Sequence, residues 1–222
     1  LLLLAASLYF YMSWNPAFII LILAQMVIDF SAGLALSRIE KKSYRKLILL
    51  ASIGSNLGLL LFFKYINFGI ENLNFLLGIL HPSSAPISPL NMILPVGISF
   101  YTFQSMSYTI DVYNKHIDTE KNPVTFATYV CYFPQLVAGP IERYGTLTPQ
   151  LKKQAKFSVS NFSYGMRLIL YGLFLKMVIA DNVGILVNET YKDIAGTSPF
   201  NLIISAILYS FQIYCDFNGY TT

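Results

Sequence analysis

The chain has 222 residues, of which 55% are hydrophobic and 15% aromatic, while only 12% are charged against about 25% in an ordinary soluble domain. Fifteen Lys+Arg and 11 Asp+Glu leave a net charge of +4, too little to solvate so much apolar surface, which excludes both a soluble globular domain and a disordered chain. Two cysteines cannot make a disulfide framework, two histidines give no metal-ligand spacing, and Walker, dinucleotide-loop and serine-elbow patterns are absent.

These numbers describe an all-α, polytopic integral membrane protein, and the distribution of charge agrees. Between Leu1 and Ser37 only Asp29 is charged, and 47–63, 72–110, 122–141 and 194–215 carry no Asp, Glu, Lys or Arg. In hydrocarbon the backbone must satisfy itself, which takes about 20 mainly apolar helical residues per crossing. The chain begins without a methionine, inside an apolar run, and stops inside a polar-aromatic one, so it reads as part of one membrane domain spanning 1–222 and cut at both ends.

In chain order, a first apolar helix covers about 1–12 and ends before the turn-forming Asn15-Pro16 pair. A second starts at Pro16, a favourable first helical position, and runs to about Ser37. A third, 47–63, is short but has Lys46 and Lys64 to snorkel at its ends. Segment 65–80 is interrupted by Glu71 and three asparagines and reads as an interfacial helix. The prolines at 82, 86 and 89 make a loop, and a long helix is expected from about Leu90 to Tyr113. Segments 164–180 and 199–217 are the last two spans.

Orientation follows from the basic residues. Arg38, Lys41, Lys42, Arg45 and Lys46 form the densest basic loop, which belongs in the cytoplasm. If 125–139 crossed the membrane, Arg143, Lys152, Lys153 and Lys156 would lie outside, against the rule. With Pro134, Gln135 and Gly139-Pro140 it is also too short and broken to span, so it is expected to be re-entrant, entering from the cytoplasm. The plainer alternative is a cytoplasmic surface helix.

Tyr101, Gln104, Tyr108 and Asp111 share one helical stripe, and Tyr209, Gln212 and Asp216 repeat the pattern. A charge at the bilayer centre costs roughly 2.5–3.5 kcal/mol even on the lenient scale, so these stripes must face protein or water. They serve either as interhelical hydrogen-bond glue, worth about 0.6 kcal/mol each, or as a site. Gln25 and Asp29 carry the structural reading. Lys176 either snorkels or pairs with Asp181. His81 and His116 read as loop histidines with no carboxylate partner in view.

The run Leu94-Pro95-Val96-Gly97-Ile98-Ser99-Phe100-Tyr101-Thr102-Phe103-Gln104, with Tyr108-Thr109-Ile110-Asp111-Val112-Tyr113 after it, resembles the central signature of the membrane-bound O-acyltransferase family. It is most similar to the bacterial branch of the alginate O-acetylation protein and the D-alanyl-teichoic acid transferase. Tyr132-Phe133-Pro134-Gln135-Leu136-Val137-Ala138-Gly139-Pro140-Ile141-Glu142-Arg143-Tyr144 and Phe211-Gln212-Ile213-Tyr214-Cys215-Asp216-Phe217-Asn218-Gly219-Tyr220 resemble two further signatures, with Asn218 where family members often have serine.

The resemblance implies a helical bundle with a re-entrant segment. It also implies an enzyme that passes an acyl group from a cytoplasmic donor, such as acetyl-CoA or an acyl carrier protein, through a tunnel to a hydroxyl on the other side. The implied acceptor is an exported polysaccharide, reached directly or through an extracytoplasmic partner protein, at the plasma or inner membrane. D-alanyl transfer to teichoic acid is the nearest rival and a membrane transporter the rival from another class. No bound cofactor, metal or nucleic acid is implied. The family's catalytic histidine follows the third signature, so it is expected beyond Thr222, and neither His81 nor His116 matches it. Carried over by position, the tunnel candidates are Gln104, Pro134, Gln135, Tyr214 and Asp216, with Arg143 placed to meet a phosphate-bearing donor.

Overall fold

The structure is a computed structural model that describes residues 1–80, 85–136, 139–153 and 156–222. Its elements are helical: α1 Leu2–Met12, α2 Phe18–Arg38, α3 Lys42–Leu80, α4 Ile98–Tyr113, α5 Pro123–Val130, α6 Phe133–Leu136, α7 Tyr144–Lys152, α8 Val159–Leu173, a π-helical segment Phe174–Ala180, α9 Asp181–Lys192 and α10 Pro199–Thr221. Four helical stretches are long and apolar enough to cross a membrane: Phe18–Arg38, Lys42–Leu80, Val159–Lys192 and Pro199–Thr221. Each turns large apolar side chains outward, among them Ile20, Leu47, Met177 and Ile207, each more than 60% exposed. A surface of that kind is stable only out of water, and with four such helices the chain is a multi-pass membrane protein.

The helices gather into two compact units, one drawn from 1–137 and 141–153, the other from 138–140 and 154–222. In the first, α4 is the central helix, packed by α2 and α3. Its whole polar stripe is buried: Tyr101 and Tyr108 at 0% exposure, Gln104 at 2% and Asp111 at 6%. The expectation that this stripe faces protein is met.

Two expectations about the neighbouring chain are corrected. Segment 65–80 is no separate interfacial helix but the outer part of α3, which runs unbroken for 39 residues, about 58 Å. The helix expected from Leu90 starts instead at Ile98. Pro95 has no N–H to continue a helical ladder, and Gly97 caps α4 at φ 73°, a left-handed conformation that suits glycine. Between Ala85 and Pro95 the chain has no regular structure.

The asparagines that seemed to break 65–80 hold that extended segment. Asn67 donates to the Leu90 carbonyl (2.9 Å) and accepts from its N–H (2.8 Å), and Asn74 pairs with Ile87 in the same two ways (both 2.8 Å). The spacing works because seven helical residues and three extended ones each advance about 10 Å. The proline-rich loop is described only from Ala85 onward; His81 and Pro82 lie outside the described residues.

One end of the first unit is tied by Arg45. Its guanidinium donates to the carbonyls of Leu36 and Ile39 at the end of α2 and to those of Val112 (3.4 Å) and Tyr113 (2.7 Å) at the end of α4. It also lies over the Tyr113 ring, 5.5 Å from its centre. Arg143 at the start of α7 reaches Asp111 (3.4 Å), and Lys152 at its end reaches Glu120 (2.6 Å). The basic loop 38–46, the loop 114–122 and α7 therefore share one end of the unit. The chain leaves that end at Pro123 and is back at it by Arg143.

Between those points the chain is broken into α5 and α6, too short to cross, and is no surface helix: Tyr129, Val130 and Cys131 are fully buried. The Cys131 thiol touches the Met26 sulfur at 3.8 Å, 12 residues or about 18 Å along α2 from Arg38. The Phe133 N–H donates to Ser7 (3.3 Å). Over 125–136 this geometry agrees with a segment that enters the bundle without crossing it; residues 137 and 138 of the expected re-entrant stretch lie outside the described residues.

In the second unit, the span expected to end at Ala180 continues as one helical stretch to Lys192, with the π-helical segment in its middle. It crosses α10 where Gly172 and Gly219 meet. A β-carbon on Gly172 would lie 2.4 Å from the Gly219 carbonyl oxygen, so neither position accepts a side chain.

Candidate functional site

The polar residues singled out from the sequence fall into separate groups, and the geometry gives each a defined set of partners. Gln104 joins α4 to the re-entrant segment. Its Nε2 donates to the Tyr129 carbonyl (2.8 Å), while the Tyr129 hydroxyl donates back to the Gln104 carbonyl and to that of Glu142 (both 3.1 Å). The Tyr129 carbonyl belongs to the last turn of α5, where helical acceptors have no partner within the helix. Gln104 supplies that missing donor. Gln135, on α6, is 6% exposed, and its Nε2 has no partner among the described residues. Pro134 starts beside it within the same short helix.

Asp111 ends the stripe at the tied end of the unit. Arg143 approaches it at 3.4 Å and His116 Nδ1 at 3.6 Å. His116 thus has the carboxylate partner that the sequence did not reveal: Lys115, at φ 61°, turns the chain so that His116 folds back and donates its N–H to the Asp111 carbonyl (2.9 Å). Arg143 keeps a side chain that is 70% exposed, so its contact with Asp111 leaves it open to solvent.

Beyond it lies a polar cluster that the sequence reading missed. Glu120, 9% exposed, accepts from Lys152 (2.6 Å), from the Tyr144 hydroxyl, and from the N–H groups of Lys121 and Asn122 (both 2.8 Å). Its own N–H donates to the Tyr108 hydroxyl (3.0 Å). Nearby, the Tyr144 ring meets those of Tyr108 and Tyr129 edge to face, and the Phe126 ring tilts against the same two. His116, Glu120, Lys121, Tyr144 and Lys152 line a cavity of about 610 Å³. The signal was faint: a lone glutamate in a mixed-charge loop, with its partner 32 residues on.

Burial alone would raise the Glu120 carboxyl, but Lys152, Tyr144 and the Asn122 N–H outweigh it and hold the group down to about 2. Burial, reinforced by the same carboxylate, pushes the Tyr144 phenol up. Because the folded value lies below the unfolded one, the stabilisation is complete above about pH 4.5 and fades as pH falls toward 2. Glu120→Gln should cost about 2–3 kcal/mol at pH 7. The gap in melting temperature between wild type and variant should close progressively below pH 4.5. A gap that stays constant from pH 7 to pH 3 would refute this account.

In the second unit, Lys176 projects from the π-helical segment and donates to Asp181 (2.9 Å) and Asp216 (2.7 Å). The expected Lys176–Asp181 pair forms, and Asp216 joins it. A cavity of about 270 Å³, lined by Gly172, Lys176, Asp216, Gly219 and Tyr220, lies alongside. The second stripe is less enclosed than the first: Tyr209 is 47% and Tyr214 61% exposed, and the side chain of Asp216 52%. Gln212 packs against Gly184, where a β-carbon would come within 2.8 Å of its amide. The candidates thus divide: Gln104, Pro134, Gln135 and Arg143 in the first unit, Tyr214 and Asp216 in the second.

Buried polar residues on α4, a chain broken at α5 and α6, and four helical stretches apolar enough to cross a membrane define a class, the polytopic helical membrane proteins. No family model matches the chain. Comparison with known proteins is more specific. The chain is 30% identical to a peptidoglycan O-acetyltransferase of Helicobacter pylori over 97% of its own length and 45% of the relative's. It is 32% identical to the probable alginate O-acetylase AlgI of Pseudomonas putida and 33% identical to that of Pseudomonas aeruginosa, each over the whole chain and 45% and 42% of the relative. The chain spans less than half the length of these relatives. The kinship read from its motifs is borne out at this level: along nearly its whole length the chain is similar to proteins named as O-acetylases, consistent with a segment of a membrane-bound O-acyltransferase.

Proposed function

We propose that the chain is part of an enzyme that transfers an acetyl group from a cytoplasmic donor to hydroxyls of an exported polysaccharide, at the plasma or inner membrane. One observation carries the reading: similarity along the whole chain to relatives named for O-acetylation of two different polysaccharides. The donor is acetyl-CoA or an acyl carrier protein, and an extracytoplasmic acyltransferase completes the transfer where the acceptor is not reached directly. Gln104, Pro134, Gln135, Arg143, Tyr214 and Asp216 border the path of the acyl group. Arg143 suits the donor end, because an exposed guanidinium beside the basic loops meets phosphate well.

The test uses the full-length protein in inverted membrane vesicles, with radiolabelled acetyl-CoA outside and polysaccharide enclosed. Alkali-labile label on the enclosed polysaccharide is the expected result. Transfer of D-alanine from a charged carrier protein, with none from acetyl-CoA, would move the enzyme to the rival reading within the family. Uptake of an intact solute without ester formation would make it a transporter.

A further inference from the structure

Lys176 and Asp181 are five residues apart, a spacing that an ordinary helix keeps off any one face. At 3.6 residues per turn, five residues set two side chains about 140° apart. The π-helical segment Phe174–Ala180 removes that obstacle. The Asp181 N–H donates to the Lys176 carbonyl, closing a five-residue turn, and the Asp181 carboxylate accepts from the ammonium of the same lysine (2.9 Å). Resuming four-residue bonds in α9 passes over the Met177 carbonyl. Asn182 Nδ2 donates to it (3.2 Å) and to the Val178 carbonyl (2.9 Å), so the acceptor released by the wider turn is satisfied.

The second carboxylate comes from α10. A β-carbon on Gly219 would lie 2.7 Å from the Gly172 carbonyl oxygen and 3.2 Å from the Lys176 backbone nitrogen, so the two helix backbones touch here. That contact carries Asp216, nearly one turn before Gly219, to the ammonium (2.7 Å). One ammonium thus serves two carboxylates, and the ionised cluster carries one net negative charge. The side chains of Lys176, Asp181 and Asp216 stay 45%, 55% and 52% exposed. Lys176 lies midway along the apolar stretch Val159–Lys192. Open charge at that position must face water or protein rather than lipid.

We infer that Asp181 is a positioning residue for acyl transfer, acting through Lys176 on Asp216. The inference rests on the proposed function, in which Asp216 borders the path of the acyl group. An ammonium committed to Asp216 alone would compensate its charge and occupy its lone pairs. Drawn aside by Asp181, the ammonium still orients Asp216 but leaves it the excess negative charge to accept a hydrogen bond from the acceptor hydroxyl. The π-helical turn sustains that pull, because an α-helical turn would carry Asp181 away from Lys176.

The test compares full-length variants in the vesicle assay, with transfer normalised to folded protein. Asp181→Asn should lower kcat about fivefold at unchanged KM for acetyl-CoA. Asp181→Glu, which keeps the carboxylate, should recover most of the loss. In a Lys176→Met background Asp181→Asn should have no further effect, since the lysine that transmits it is gone. A wild-type rate for Asp181→Asn, a change in KM alone, or equal losses in both backgrounds would overturn the positioning role. Melting temperatures in detergent test the shared ammonium apart from activity. Asp181→Asn and Asp216→Asn together should lower the melting temperature by more than the sum of the two single changes, because only the double variant leaves Lys176 without a carboxylate. A double variant that alone fails to fold is the extreme form of that result, and additive losses would overturn the sharing. A wild-type protein that transfers no acetyl group would instead fail the proposed function, and the positioning role with it, whatever the melting temperatures.

Discussion

Arg45→Met should destabilise the protein by about 3 kcal/mol, the largest loss expected from any single exposed-end substitution. The guanidinium satisfies carbonyls at the C-termini of two helices, α2 and α4, of which that of Val112 also accepts from the Lys115 N–H (3.2 Å). Hydrogen bonds to a charged donor contribute about 1.5–3 kcal/mol each when both partners are shielded. A cation at a helix C-terminus adds about 0.3–1 kcal/mol through the aligned peptide dipoles. Methionine keeps the length and apolar stem of arginine, so the measured loss reports the guanidinium. Arg45→Lys should recover only part of it, since an ammonium cannot reach both helix ends with a planar fork. Denaturant unfolding in detergent gives the number, and a loss below about 0.5 kcal/mol for Arg45→Met would mean that water replaces the clamp without cost.

The second large effect is expected at the triad of the second unit. In the full-length protein, Asp216→Asn should lower acyl transfer at least tenfold, about 1.4 kcal/mol of barrier, at unchanged levels of folded protein. Lys176→Met should do the same, and Lys176→Arg should restore most of the activity. The reason is that Lys176 holds Asp216 at 2.7 Å from a π-helical turn, a local structure that frequently marks functional positions. If the triad only glues helices together, the loss would be about 0.6 kcal/mol of stability, with normal turnover per folded molecule. Acyl transfer normalised to membrane-inserted, folded protein separates the two. Gln104→Leu is the internal comparison: it releases the Tyr129 carbonyl and should reduce both stability and turnover, because the re-entrant segment then loses its pin.

Several features were legible from residue order because they depend on composition and short periods. The membrane class follows from 12% charge, and the burial of Tyr101, Gln104, Tyr108 and Asp111 from their common helical face. The expectation that 125–139 turns back to its own side rests on the placement of basic residues, which the positive-inside rule counts without reference to any fold. The three signatures needed only to be recognised.

What the sequence by itself determined was therefore the membrane class, the helical stripes and the motifs that resemble the O-acetylases. Tertiary structure decided which polar groups meet, and it did so where pairing joins residues far apart in the chain. Asn67 and Asn74 looked like helix breakers until the extended segment at 87–90 supplied their partners. Glu120 looked like an ordinary loop acid until α7 brought Tyr144 and Lys152 to it. Asp29 looked like a single misplaced charge until α3 and α4 surrounded it with donors 23 to 80 residues away. A hydroxyl or amide in an apolar helix is tolerated in sequence terms whichever way it points. Only the crossing of helices fixes whether it meets lipid, another backbone or a buried carboxylate, and the cost of leaving such a group unpaired in hydrocarbon is what makes that choice decisive.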